Sequence, residues 1–253
     1  MYNTKNTKEE IINLAKNSGG ITAGQIIKTL GKNASGIFRH LSKLIADGQL
    51  MKIGKPPKVL YYYLNMKIEN EQNVAINWAL TGDPKFAESD WLCPTRDVFQ
   101  ARQERLLKLL RSMLPENSLY LLVSAVGEIG NNSFDHNLGN WRDTAGVLFS
   151  LDEKKREIVL ADRGQGILAT LKRVRPQTVG HAEALTTVFT ETISGRYPEQ
   201  RGNGLKLVKR AVEENNLRLS FYSGDALCRI SGQGMEVVKP SISVPGTLAI
   251  INF

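Results

Sequence analysis

Cysteine is almost missing from this chain of 253 residues: there are two, Cys93 and Cys228, with no CxxC spacing, which excludes a disulfide framework and the usual zinc patterns and leaves both expected as small buried hydrophobes. Long apolar runs are missing too. The longest strongly apolar stretch is Leu119 to Val126, far short of the roughly 20 residues of a membrane span. The N-terminal MYNTKNTKEE has no apolar signal core, so the expected compartment is the cytoplasm. Histidine is limited to His40, His136 and His181. There is no GxxxxGK[ST] phosphate loop, nucleophile elbow, metalloprotease helix or zinc cluster, and no internal repeat or low-complexity tract.

What is present is ordinary for a globular protein, at 42% hydrophobic and 23% charged residues, with length for one large domain or two smaller ones. The charge is unevenly placed. Residues 1–67 hold eleven Lys and Arg against three acids, a net of +8, whereas residues 68–253 hold 22 of each. A compact basic segment beside a neutral body points to an anionic partner, most often nucleic acid.

The basic segment reads as three short helices and a β-ribbon. Thr7 with Glu10 has the spacing of a capping box, and Ile11, Ile12, Leu14 and Ala15 follow at helical spacing up to Gly19-Gly20. Thr22 is placed to cap a second helix with Ile26, Ile27 and Leu30, ended by Gly31. Asn33 or Ser35 starts a third, with Ile37, Leu41, Leu44 and Ile45 apolar, ended by Asp47-Gly48. Two β-rich stretches, 49–53 and 59–64, are joined by Gly54-Lys55-Pro56-Pro57-Lys58. This order resembles a winged helix-turn-helix domain over residues 1–65. The resemblance implies DNA binding, with the third helix in the major groove through Ser35, Arg39 and Lys43, and the ribbon contributing Lys52, Lys55 and Lys58 to the backbone. A winged helix used for protein contacts, its basic face simply solvated, is the other reading. His40 is expected at the surface or half-buried.

Residues 66–94 read as a polar connector with a turn at Thr81-Gly82-Asp83-Pro84 and one short helix near 74–80. Trp78, Phe86 and Trp91 are expected to pack onto the C-terminal domain. From residue 95 to 253 the spacing predicts helices over 96–113 (Val98, Leu106, Leu109, Leu110 and Met113 apolar), 118–136, 167–174, 181–190 and 205–215. It predicts strands over 145–151, 157–161, 217–223, 226–231 and 247–253. The fold class expected is α+β, with a two-layer sandwich on a mixed sheet after the N-terminal domain.

Three motifs in this second part carry chemistry. On the helix over 118–136, Glu128, Asn132 and His136 recur every four residues and share one stripe, beside the apolar stripe of Leu122, Val126 and Ile129. At the end of a strand stands Asp162-Arg-Gly164-Gln-Gly166-Ile167. Arg201-Gly202-Asn-Gly204-Leu205 then opens a helix, where backbone N–H groups can hold phosphate. A weaker fourth is Pro245-Gly246-Thr247 ahead of the last strand. The irregular stretch 175–201 has the length of a functional loop.

In order and setting these motifs resemble the N, G1 and G2 boxes of the GHKL ATPase family, which includes histidine kinases, gyrase and MutL. The resemblance covers roughly residues 95–253. It implies ATP and Mg²⁺ as cofactors, with Asn132 giving its oxygen to the metal and Asp162 accepting from the adenine amino group. Gly164, Gly166 and Ile167 would lie along the base, Arg201, Gly202, Gly204 and Leu205 at the phosphates, and the Thr247 hydroxyl near the adenine. Glu128 would be the catalytic base, and 175–201 would be the ATP lid. Lys206 stands where the family often has a third glycine, which leaves the lid's path open. Gly164-Gln-Gly166-Ile-Leu-Ala169 also fits the dinucleotide pattern GxGxxA, but Asp162 would put a carboxylate at the pyrophosphate and the chain beyond offers no second parallel strand ending in an acid.

A sensor histidine kinase that phosphorylates itself needs a phosphoacceptor His on a helix before the ATP domain, and the helix from Arg96 has none. The expectation is therefore a cytoplasmic ATP/Mg²⁺-binding regulator of transcription, with DNA held by the winged helix and its state switched by ATP binding or slow hydrolysis. A serine kinase resembling the anti-sigma kinases, acting on a protein partner in trans, and a nucleotide-binding module without turnover are the alternatives. The residues leave enzymatic turnover and homodimer formation open.

Overall fold

The computed structural model describes residues 7–18, 21–46, 49–53, 59–63, 70–81, 91–192, 204–240 and 242–253. The chain divides into two compact units. The first is Met1–Glu69 with Pro240–Ile242, and the second is Asn70–Lys239 with Ser243–Phe253.

The first unit holds α1 (Thr7–Ser18), α2 (Ala23–Leu30), α3 (Ala34–Ala46), β1 (Leu50–Ile53) and β2 (Leu60–Tyr63). Thr22 caps α2 in a full capping box with Gln25, and Gly31, at φ 62°, closes it in the left-handed conformation. Asn33 starts α3, its Oδ1 accepting from Gly36 N at 2.7 Å. Thr7 departs from expectation. It is the first residue of α1 rather than its cap, and Lys32 Nζ donates to its hydroxyl at 2.8 Å and also pairs with Glu10. β1 and β2 are antiparallel, with Leu50 opposite Tyr63 and Ile53 opposite Leu60. Ile21 bridges to Tyr61 beside them. Ile11, Ile26, Ile37, Leu41, Leu44 and Leu50 close the core. Burial of each is worth about 1.5–3 kcal/mol, which is what ties short helices of marginal intrinsic stability together.

The second unit begins with α4 (Asn70–Thr81), then β3 (Leu92–Cys93), α5 (Arg96–Leu110), α6 (Glu116–Asn137), β4 (Val147–Asp152), β5 (Glu157–Asp162), α7 (Gly166–Lys172) and α8 (His181–Thr190). It ends with α9 (Gly204–Glu214), β6 (Arg218–Gly224), β7 (Ala226–Ser231), β8 (Gly234–Val238) and β9 (Val244–Asn252). The fold is thus α+β. The strands form one seven-stranded sheet in the order β3-β4-β5-β9-β6-β7-β8. Every neighbouring pair is antiparallel, so the expectation of a mixed sheet is corrected. β3 and β8 have no counterpart among the expected strands, and β9 starts at Val244, so Pro245-Gly246-Thr247 lie inside the strand.

β5 is buried at all six positions. Ile158 and Leu160 join the core shared with α5, α6, α8 and α9, while Val159 and Ala161 alternate to the other face. α4 packs on β4, β5 and β9, with Trp78 fully buried. The helix expected inside the connector therefore covers the second face of the sheet, a layer that a two-layer sandwich lacks.

α5 also differs from its expected phase. Phe99, Leu106 and Leu110 are buried, whereas Val98 and Leu109 are exposed. α5 reaches α6 where α6 has glycines, since a Cβ at Gly130 would overlap the Phe99 ring and one at Gly127 the Gln103 amide. Cys93 and Cys228 are both fully buried, and burial pushes the Cys228 thiol up to about 12. No helix among the described residues is long and apolar enough to cross a membrane.

Candidate functional site

In the second unit an open cleft of about 350 Å³, solvent at its mouth included, lies between α6, the ends of β5 and β9, and the starts of α7 and α9. Asn132, Asp162, Gly166, Ile167, Leu205 and Thr247, all expected site residues, line it. His136 lines it too, one turn after Asn132, together with Ser133, Asn137, Thr170 and Phe221.

Asp162 is the polar centre of the cleft. It is the last residue of β5 and only 1% exposed. Four protein donors converge on its carboxylate. Gly164 N and Asn137 Nδ2 donate to Oδ1 at 2.7 and 3.3 Å. Ser133 Oγ donates to Oδ2 at 2.9 Å, and so does Thr247 Oγ1. Burial is the largest influence and raises the carboxyl's pKa, against these four bonds, which favour the charged form.

The turn after Asp162 is held by the same residues. Asn137 Oδ1 accepts from Gln165 N at 3.0 Å, and a Cβ on Gly164 would overlap the Asn137 amide. Gly166 takes φ +76°, which favours glycine, and a side chain there would come within 3.0 Å of Pro245 O and Ser223 Oγ. Ser223 Oγ accepts from Ile167 N at 3.0 Å and donates to Gly246 O at 2.9 Å, linking β6, α7 and β9. A Cβ on Gly246 would overlap Asp162's own carbonyl. Glycines at 164, 166 and 246 are therefore what lets three backbones approach the carboxylate.

Glu128 and Asn132 meet the third motif. A Cβ on Gly204 would overlap Glu128 Oε2 and lie 3.8 Å from Asn132 Nδ2. The Glu128 carboxylate thus sits beside the first residue of α9, where an anion is favoured by the helix dipole. Arg201 and Gly202 lie outside the described residues, as does most of the expected lid's second half. Among the described residues no cluster of three or more His, Cys, Asp or Glu could hold a metal ion.

Four participants had no recognisable signal of their own. Ser133 and Asn137 lie one position along α6 from Asn132 and His136. Ser223 stands in β6. Arg163 occupies a variable position of the second motif, yet it is 7% exposed and turned away from the cleft's carboxylate. Its Nε and Nη2 donate to Asp143 at 2.7 and 2.5 Å, and its Nη1 donates to Trp78 O at 2.6 Å and Ala79 O at 3.3 Å. The guanidinium also stacks over the Trp78 ring, 5.6 Å from its centroid. The hydrogen bond from Arg163 is the main reason that Asp143 ionises below the ordinary carboxylate range.

In the first unit, Ser35, Arg39 and Lys43 are exposed on α3 and Lys52 is exposed on β1. The Ser35 hydroxyl donates to Asn33 Oδ1 at 3.2 Å. Lys55 and Lys58 lie outside the described residues, and His40 is half-buried as expected.

No protein-family model matches the chain, and no significant match to a curated protein is found.

Proposed function

We propose that the second unit binds ATP with Mg²⁺ in the Asp162 cleft, as its resemblance to the GHKL ATPases implies, and that the first unit is a winged helix that binds DNA. The chain would then act in the cytoplasm as a nucleotide-responsive regulator. The observation that carries the reading is the convergence of three separate motifs on one cleft. Asp162 sits at its floor, Asn132 on its wall, and Glu128 against the opening residue of α9.

The residues fit the group with one condition. An ionised carboxylate has about four acceptor positions, and four protein donors already fill them at Asp162. An adenine amino group must therefore displace one, and the hydroxyls of Ser133 and Thr247 are the donors free to rotate. Ile167, Leu205 and Phe221 supply apolar surface for a base. Asn132 would give Mg²⁺ one side-chain oxygen, the rest coming from phosphate and water as that cation prefers. When bound, ATP and Mg²⁺ supply a transferable phosphoryl group with its charge partly neutralised. Glu128 would orient a water or hydroxyl nucleophile and accept its proton on Oε2. In the first unit Arg39, Lys43 and Lys52 would neutralise phosphates and make binding fall steeply with salt.

The test incubates the protein with Mg²⁺ and γ-labelled ATP beside Glu128→Gln. Free labelled phosphate from wild type, lost in a variant that still binds ATP, is the expected result. Label transferred to an added protein would establish a kinase, and label left on bound ATP a module without turnover. Failure to bind ATP would remove the reading.

A further inference from the structure

We propose that Phe38 reads thymine: its ring covers the 5-methyl group of a thymine in the major groove of duplex DNA. The inference rests on the DNA-binding reading of the first unit and adds to it a base and a residue.

Phe38 is 49% exposed and is the sole exposed large hydrophobic residue of α1, α2 and α3. The other large apolar side chains of α3 point inward, with Ile37, Leu41 and Leu44 at 0–1% exposure and Ile45 partly buried against the same core. Phe38 takes no part in that core. It lies on the outer row formed by Ser35, Phe38 and Ser42, three and four residues apart, with Arg39 and Lys43 on the adjacent row. Ala34, Ser35 and Ser42 are all short, so the ring is the tallest apolar group on that face.

The chemistry of the surroundings selects the occupant. α2 and α3 contain no Asp or Glu, and residues 1–67 carry the chain's whole net charge of +8. A polyanion is complementary to this face. A bare aromatic ring between cations has little to gain from phosphate, but it matches the one apolar feature that a base pair presents in the major groove, the thymine methyl. Phe38 is the fifth residue of α3, in the N-terminal half from which a reading helix contacts base edges.

The test uses the full chain and fluorescence anisotropy at low salt. Three 24-base-pair duplexes are compared: alternating A·T, the same with deoxyuridine for every thymidine, and alternating G·C. Uracil removes only the methyl. Wild type is expected to bind A·T more tightly than A·U, by roughly four-fold for each methyl covered. Phe38→Ala, at a half-exposed position that leaves the core untouched, should bring that ratio to about one without changing the salt dependence. Phe38→Leu should retain part of it. Arg39→Ala should instead weaken all three duplexes alike and flatten the salt dependence. Equal affinity of wild type for A·T and A·U, with DNA bound, would overturn the role of Phe38 and leave the DNA reading standing. A ratio that persists in Phe38→Ala would assign the discrimination to the shape of the DNA and overturn it too. Absence of binding to all three duplexes would overturn the DNA reading itself and make α3 a protein-contact surface.

Discussion

Gly164→Ala is the most informative single substitution in the cleft. The added Cβ would overlap the amide of Asn137, which is 4% exposed and has no room to retreat into solvent. That amide donates to Asp162 at 3.3 Å and accepts from Gln165 N at 3.0 Å, so moving it breaks both bonds at once. Two hydrogen bonds at about 1 kcal/mol each, with about 1–3 kcal/mol for overpacking, give a destabilisation on the order of 3–5 kcal/mol. For a domain of this size that lowers Tm by roughly 6–20 °C. Gly232→Ala, whose nearest neighbour would be Glu213 O at an ordinary 3.7 Å, is the control, and should stay within about 0.5 kcal/mol. Thermal unfolding followed by circular dichroism reads both. The double variant Gly164→Ala/Asn137→Ala removes the side chain that is struck, so its loss should fall well short of the two single losses together. A Gly164→Ala protein with wild-type Tm, or strictly additive losses, would refute the tight turn around Asp162.

Asp162 also makes stability depend on pH. Its pKa is raised in the folded protein, so the protonated form favours folding. Asp162's own contribution to nucleotide-free stability should be fullest below the ordinary aspartate value of about 3.9 and decline as pH rises from there through the folded-state value. Tm measured across that window should fall less in Asp162→Asn, and parallel profiles would contradict it. Arg163→Ala removes two bonds to Asp143 and two to α4 carbonyls. It should cost about 2–3 kcal/mol, with Asp143 partly solvated, and hydrogen exchange should accelerate in residues 75–80 before it does in β7. Glu128→Gln should keep ATP affinity within about three-fold while abolishing turnover, since proton acceptance contributes about 10²–10⁴-fold to a rate.

Local signals were legible where short-range chemistry decides the outcome. Thr22 caps α2 and Gly31 ends it, and α8 and β7 have the bounds that their periodicity predicts. The run from Glu128 to His136 put its polar and apolar stripes where the helix needs them. Signals failed where partners are distant. β8 is a half-buried edge strand of five residues with no clean alternation, and β3 is two residues long. Strand direction depends on pairing, which no local pattern encodes. Val98 and Leu109 look like core residues in isolation, but the buried set of α5 is fixed by the glycines of α6. Three of the four donors around Asp162 lie 25 to 85 residues away in sequence, and their convergence on its carboxylate appears only where β5, α6 and β9 meet.

The central claim is that the Asp162 cleft takes adenine nucleotide, and isothermal titration with ATP, Mg²⁺ and the full chain tests it most directly. Three results are predicted: saturable binding of ATP, much weaker binding of GTP, whose base offers an acceptor where adenine has an amino donor, and at least a ten-fold loss in a folded Asp162→Asn variant. Equal binding of ATP and GTP, or ATP affinity unchanged in Asp162→Asn, would contradict it.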